Sequence, residues 1–178
     1  MQEARGTGQK AKVNHASRIT HVASRINTNI SVRYEDKVKP ALLKEAAQAA
    51  LDQQRVRGKV EITIAITGDA QLRALNLAFR KINKPTDVLS FGLEPAADAE
   101  PSEERHYLGD VIISYPMARA QAKAGGHPIE AELELLVVHG VLHLLGHDHA
   151  KPKEKAKMWK AQSRVLRKIG AAITEPTD

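Results

Sequence analysis

Residues 138–149 of the 178-residue chain read V-H-G-V-L-H-L-L-G-H-D-H, and three of these histidines are spaced to share one metal ion. His139 and His143 are four apart. On a helix they stand about 40° apart around the axis and one turn apart along it. Two imidazoles so placed can hold a single cation. His149 comes six residues later, and a continuing helix would carry it about 9 Å further and to the far side. It reaches the same ion only if the chain turns back. Gly146 sits where that break must occur, because glycine takes the left-handed conformation at a helix end without Cβ strain. Three neutral imidazoles leave a fourth tetrahedral position open, which marks a catalytic rather than a closed structural site. Zinc in such a site lowers the pKa of water to about 7, so no strong protein base is needed. Nickel and copper also accept imidazole, so one Zn2+ is preferred on geometry and availability.

The spacing H-x-x-x-H-x-x-G-x-x-H resembles the zinc site of metzincin proteases, where the residue after the first histidine is a glutamate acting as general base. Here that position is Gly140, which cannot take a proton, and this argues against a peptidase. Next to the triad, His147 and Asp148 are open to two readings. Asp148 either orients an imidazole or is a solvated turn residue. His106 and His127 fall in loops and are expected on the surface.

The elements that must position this segment follow from periodicity. Ile30 to Tyr34 alternates and predicts a first strand. Pro40 opens a helix expected to run to about Arg57 and to end at Gly58. Val60 to Thr67 alternates strictly and is the clearest strand in the chain. Asp69 is expected to cap a helix carrying Leu72, Leu75, Ala78 and Phe79 on one side. Strands follow at 88–93 and 108–115, separated by an acidic loop from Glu94 to His106. A short helix spans 116–124, and a longer one runs from Pro128 through Leu145. Pro152 starts a last helix on which Trp159, Leu166 and Ile169 can share an inner face. The order predicts an α+β fold: a single four-stranded mixed sheet with helices packed mainly on one face.

Composition narrows the function classes. The chain has no cysteine, which excludes disulfides and thiolate zinc sites and fits a reducing cytoplasm. It has no apolar stretch long enough to span a membrane, its longest run being Leu135 to Val138, and no apolar signal segment. The net charge is +6, and residues 1–29 hold five basic side chains (Arg5, Lys10, Lys12, Arg18, Arg25) against Glu3 alone. Residues 1–29 are therefore expected to be a flexible basic N-terminal arm, ahead of one domain over 30–178. An arm of this kind suits RNA phosphates, though its acid-poor composition also fits a transit peptide or a plain tail. Only six residues are aromatic, so base stacking cannot dominate recognition of a single strand.

H-G-V-L-H-L-L-G-H-D-H, with Gly140 in place of glutamate, closely resembles the signature of the YbeY family of bacterial endoribonucleases and rRNA maturation factors. Leu75–Arg80, then Lys84-Pro85-Thr86-Asp87-Val88-Leu89-Ser90-Phe91, is similar to a second block of that family, and Leu108-Gly109-Asp110-Val111-Ile112 to a third. Together the blocks cover roughly residues 30–170; the basic arm has no counterpart. The resemblance implies a metal-dependent, single-strand-specific endoribonuclease acting in 16S rRNA 3′-end maturation and ribosome quality control. It implies a metzincin-like site at the end of a core helix and association with small-subunit rRNA and ribosomal components. It makes His139, His143 and His149 metal ligands, with His143 and Arg80 required for cleavage. The planar fork of Arg80 suits a scissile phosphate, although an arginine at a helix end is by itself unremarkable. Lys84 either assists as a point charge or is a solvated loop residue, and Asn76 and Ser90 either contact substrate or support the loop. Whether water or the RNA 2′-hydroxyl attacks does not follow from the residues. A competing reading is a ribosome-associated assembly factor with a mainly structural metal, favoured by the missing general base and disfavoured by the open three-histidine site.

Overall fold

Val60, Ile62, Ile64 and Ile66 point to one side of strand β2 (Lys59–Thr67) and are all buried, so the strict alternation of the sequence becomes the sheet face of the core. The computed structural model describes residues 23–93 and 106–173. Its remaining strands are β1 (Ala23–Ile30), β3 (Val88–Gly92) and β4 (His106–Ser114). They form one sheet in the order β1-β2-β4-β3, with β1, β2 and β4 parallel and β3 antiparallel along the edge. The fold is α+β with a mixed four-stranded sheet, as the element order predicts.

The first strand lies earlier than its pattern suggests. Only Ile30 of the expected Ile30–Tyr34 strand belongs to β1, and Val32–Tyr34 is a 3-10 turn. Residues 23–29, assigned to a basic arm, instead pair in parallel with Lys59–Ala65. This edge strand has few apolar residues to betray it. Backbone pairing holds it, helped by a 2.7 Å bond from Asn27 Nδ2 to Glu61 Oε1 and by Ile26 and Ile30 packed on the core. Residues 1–22 of the expected arm, and residues 94–105 of the expected acidic loop, lie outside the described residues.

The helices are α1 (Pro40–Gln53), α2 (Asp69–Arg80), α3 (Tyr115–Gly125), α4 (Ile129–Leu144) and α5 (Pro152–Ile169). Helix α1 stops four residues before the expected Arg57. Arg55 takes a left-handed φ of 55°, and Val56 N–H closes on Leu51 O at 3.1 Å, so an arginine does what Gly58 was expected to do. On α2 the cap is Gly68, and Asp69 is the first helical residue, its carboxylate accepting a hydrogen bond from Ser114. Of its expected apolar side only Leu72 is buried; Phe79 is 67% exposed.

Helix α4 is the axis of the domain. Leu133, Leu135, Leu136, Val137, Val138, Val141 and Leu142 are all buried, which leaves no solvent face along most of its length. It packs on β3 and β4 and is flanked by α1, α3 and α5. No helix among the described residues is long and apolar enough to cross a membrane.

Candidate active site and metal centre

The last two turns of α4 carry His139 and His143, and the chain then reverses as the spacing requires. Gly146 has φ 83°, Gly146 N–H bonds His143 O at 2.9 Å, and His147 N–H reaches back to Leu142 O at 3.0 Å. This glycine turn satisfies the terminal carbonyls of α4 and sends the chain back towards the helix. Two contacts then fix the returning segment. His147 Nε2 donates to Gln54 Oε1 at the end of α1 (3.0 Å), and Asp148 Oδ1 accepts from the backbone of His149 (2.7 Å) and Ala150 (3.3 Å). The open reading of Asp148 thus resolves to the turn residue, and His147 is an anchor.

The result brings the three predicted ligands together. The ring centres of His139 and His143 are 4.7 Å apart, those of His143 and His149 5.0 Å, and those of His139 and His149 5.4 Å. One ligand nitrogen from each lies within 4.8 Å of the others. Trp159 of α5 packs edge-on against His139 and His149 and walls the group.

The hydrogen-bond network tests whether these residues fit a metal. His139 Nδ1 donates to Gln162 Oε1 at 3.1 Å, which leaves Nε2 as the lone-pair nitrogen. That atom faces His143 Nε2 at 3.1 Å. The two ring nitrogens converge closely enough to be held by one shared cation. Burial lowers the pKa of His139, and burial with the two neighbouring imidazoles lowers that of His143 to about 4. Both are neutral at neutral pH, the state a metal ligand needs. The donor set fits a divalent metal.

The triad lines one end of a cavity of about 620 Å3, within the range of small-molecule sites. Arg80, the last residue of α2, lines the same cavity together with Ser90, Asp87, Gln121 and Glu132. Sequence blocks far apart in the chain meet here. Asn76 and Ser90 each make a supporting bond, and Ser90 also lines the cavity. Asn76 Nδ2 donates to Lys84 O (2.8 Å) and ties down the loop after α2, while Ser90 Oγ donates to Gly140 O (3.2 Å) and joins β3 to α4. Lys84 itself is exposed and is not among the cavity's lining residues.

Gly140 has a packing reason as well. A Cβ there would stand 2.4 Å from Val111 Cγ1 and 3.1 Å from Ser90 Oγ, so α4 lies against the sheet where any larger residue would intrude.

The match to known proteins is extensive. The family model for endoribonuclease YbeY matches residues 24–170. The chain belongs to the YbeY family. An endoribonuclease YbeY from Roseiflexus sp. (strain RS-1) is 43% identical over 145 residues, covering 80% of this chain and 91% of that protein. One from Dehalococcoides mccartyi (strain BAV1) is 37% identical over 153 residues, covering 81% and 96%. The solution structure of a Thermotoga maritima protein is similar in fold, with a TM-score of 0.51 and 23% identity over 86% of this chain and 97% of that one. The matched span starts at residue 24, beside the first residue of β1, so the YbeY domain takes in the strand that the sequence reading placed in an arm.

Sequence reasoning missed Glu132 and Gln121, which line the cavity, and misplaced His127. His127, expected on the surface, has a side chain only 6% exposed, with Nε2 facing Glu132 Oε2 at 3.2 Å. Glu132 is 3% exposed, and burial raises its carboxyl pKa while His127 opposes the shift. The available signal was a glutamate at a position of α4 seven residues before His139, on the same helical face.

Proposed function

We propose that the chain is a metal-dependent endoribonuclease that cuts single-stranded RNA, with zinc as the ion and the 3′ end of small-subunit rRNA as its substrate in ribosome maturation. The observation that carries this is the convergence of three imidazole nitrogens in a cavity that Arg80 also lines. Membership of a family whose relatives are named endoribonucleases supports the reaction class. The rRNA substrate and the ribosomal partners rest on the family resemblance.

Each residue has a task in this reading. His139, His143 and His149 hold the metal, and a divalent ion bound there would supply Lewis acidity and a lowered pKa for water. Gln162 holds the His139 ring, and the Asp148 turn delivers His149. Arg80 pairs with the scissile phosphate and balances charge as it develops. Trp159 limits water on one side of the triad. Phosphate contacts carry much of the affinity, so binding weakens with salt.

The experiment is cleavage of a single-stranded RNA spanning a small-subunit rRNA 3′ end, comparing wild type, His143→Ala and Arg80→Glu. Cleavage by wild type that fails in both variants, with folding intact, is the expected result. Equal cleavage by all three would reveal a contaminating nuclease and return the assembly-factor reading.

A further inference from the structure

Three strands end together at one edge of the sheet, and a second cavity opens there. Parallel strands β1, β2 and β4 run out side by side, with Ile30 beside Ile66 and Thr67 beside Ser114. Ligands of parallel sheets bind outside such carboxyl ends. Tyr34 follows β1 and Tyr115 follows β4, and their rings stack with centres 4.8 Å apart. Both residues are buried. Around them lies a cavity of about 160 Å3, lined by Arg33, Tyr34, Lys37, Tyr115, Pro116 and Arg119. None of these residues lines the cavity of the triad.

This second cavity is cationic. Arg33, Lys37 and Arg119 are exposed, and no acidic residue is among those lining it. Lys37 is partly engaged, because its Nζ donates to Arg33 O at 3.0 Å and pairs with Asp36 at 3.4 Å. The guanidinium groups of Arg33 and Arg119 make no hydrogen bond or ion pair with the described residues. The stacked rings set the spacing of these groups. Arg33 adjoins Tyr34, Lys37 N–H bonds Tyr34 O at 3.0 Å, and Arg119 stands one turn of α3 beyond Tyr115. Tyr115 and Pro116 open α3, so the positive end of that helix adds to the field.

Helix α3 ties this cavity to the first. Gln121, which lines the cavity of the triad, follows Arg119 by about 200° around the helix and about 3 Å along it. The two cavities therefore flank a single helix, about 10 Å across. Lys123 is exposed one turn beyond Arg119, and residues 115–125 include no acid. We propose that Arg33, Lys37 and Arg119 hold a backbone phosphate of the RNA strand whose scissile phosphate lies at the triad. This rests on the RNA reading of that site. Planar guanidinium forks match phosphate oxygens in pairs. A backbone contact of this kind positions a strand without reading its bases.

The test is binding of a 2′-O-methyl uridine dodecamer, which resists cleavage, followed by fluorescence anisotropy as salt is raised. Each phosphate contact on a single strand contributes about 0.7 to the slope of log affinity against log salt. Arg33→Ala combined with Arg119→Ala should lose about that much slope and bind about fivefold more weakly at 0.1 M salt. Arg164→Ala combined with Arg167→Ala removes the same charge from exposed positions of α5 and should keep the wild-type slope. All four side chains are exposed, and melting curves establish that both variants fold. An unchanged slope in the first variant, or an equal loss in the α5 variant, overturns the phosphate site. Cleavage of the unmodified strand separates this outcome from failure of the nuclease reading. Cleavage by wild type with equal slopes keeps the nuclease and removes the site. The expected loss of slope without any cleavage does the reverse, and a wild type that binds no RNA overturns both.

Discussion

His139 lies 3.1 Å from Gln162 on one ring nitrogen and 3.1 Å from the His143 imidazole on the other. Gln162 comes from α5, a different helix, and is fully buried. Its carbonyl sets the tautomer and angle of the first ligand. Gln162→Leu keeps the volume and removes the acceptor, so metal affinity should fall about 10–100-fold. Competition against a chelating dye measures it. Unchanged affinity in a folded variant would mean that Gln162 does not orient the ligand.

Gly140 shows how packing and chemistry share a position. Replacing it by alanine places a Cβ 2.4 Å from Val111 Cγ1, and the helix or the sheet must yield. The expected cost is about 1–3 kcal/mol. Urea denaturation of Gly140→Ala measures it, and a variant as stable as wild type would show that this contact relaxes freely. Gly140→Glu should give no peptidase activity, because position 140 is turned to Val111 and Ser90.

The pH dependence has a definite sign. Burial and two neighbouring imidazoles hold His143 at about 4, against an ordinary 6.5. Between those values the unfolded chain binds more protons than the folded one, so stability is present above 6.5 and is lost as pH falls towards 4. Melts of metal-free wild type and His143→Ala across this window should show a steeper decline in wild type. Parallel curves would contradict the buried, neutral imidazole.

Arg80 is exposed at a helix end and makes no hydrogen bond or ion pair with the described residues, so its loss should touch activity alone. Arg80→Ala is expected to lower RNA cleavage about 10²–10³-fold, with stability within about 0.5 kcal/mol of wild type. Full activity in the variant would remove Arg80 from the mechanism.

What could be read from the sequence divides along physical lines. The triad was legible because a four-residue spacing, a glycine and a further histidine are constraints local to one helix end. Strand β2 was legible because both its faces obey one period. Strand β1 was not, because an edge strand held by backbone pairing needs few apolar residues. The end of α1 was misplaced because Arg55 adopts a conformation that glycine favours. Phe79 looked like core and is exposed, since α2 lies at the margin of the sheet. Glu132 carried only a helical-face signal and Gln121 none, because α3 and α4 meet only in three dimensions.

The most direct test of the account is the RNA cleavage rate of chelator-stripped protein as zinc is added back in steps. Wild type should gain activity in proportion to metal and level off at one equivalent, and His143→Ala should stay inactive throughout. Full cleavage by protein verified to be metal-free, or restored cleavage in folded His143→Ala, would contradict the claim that the three histidines hold the ion that cleavage requires.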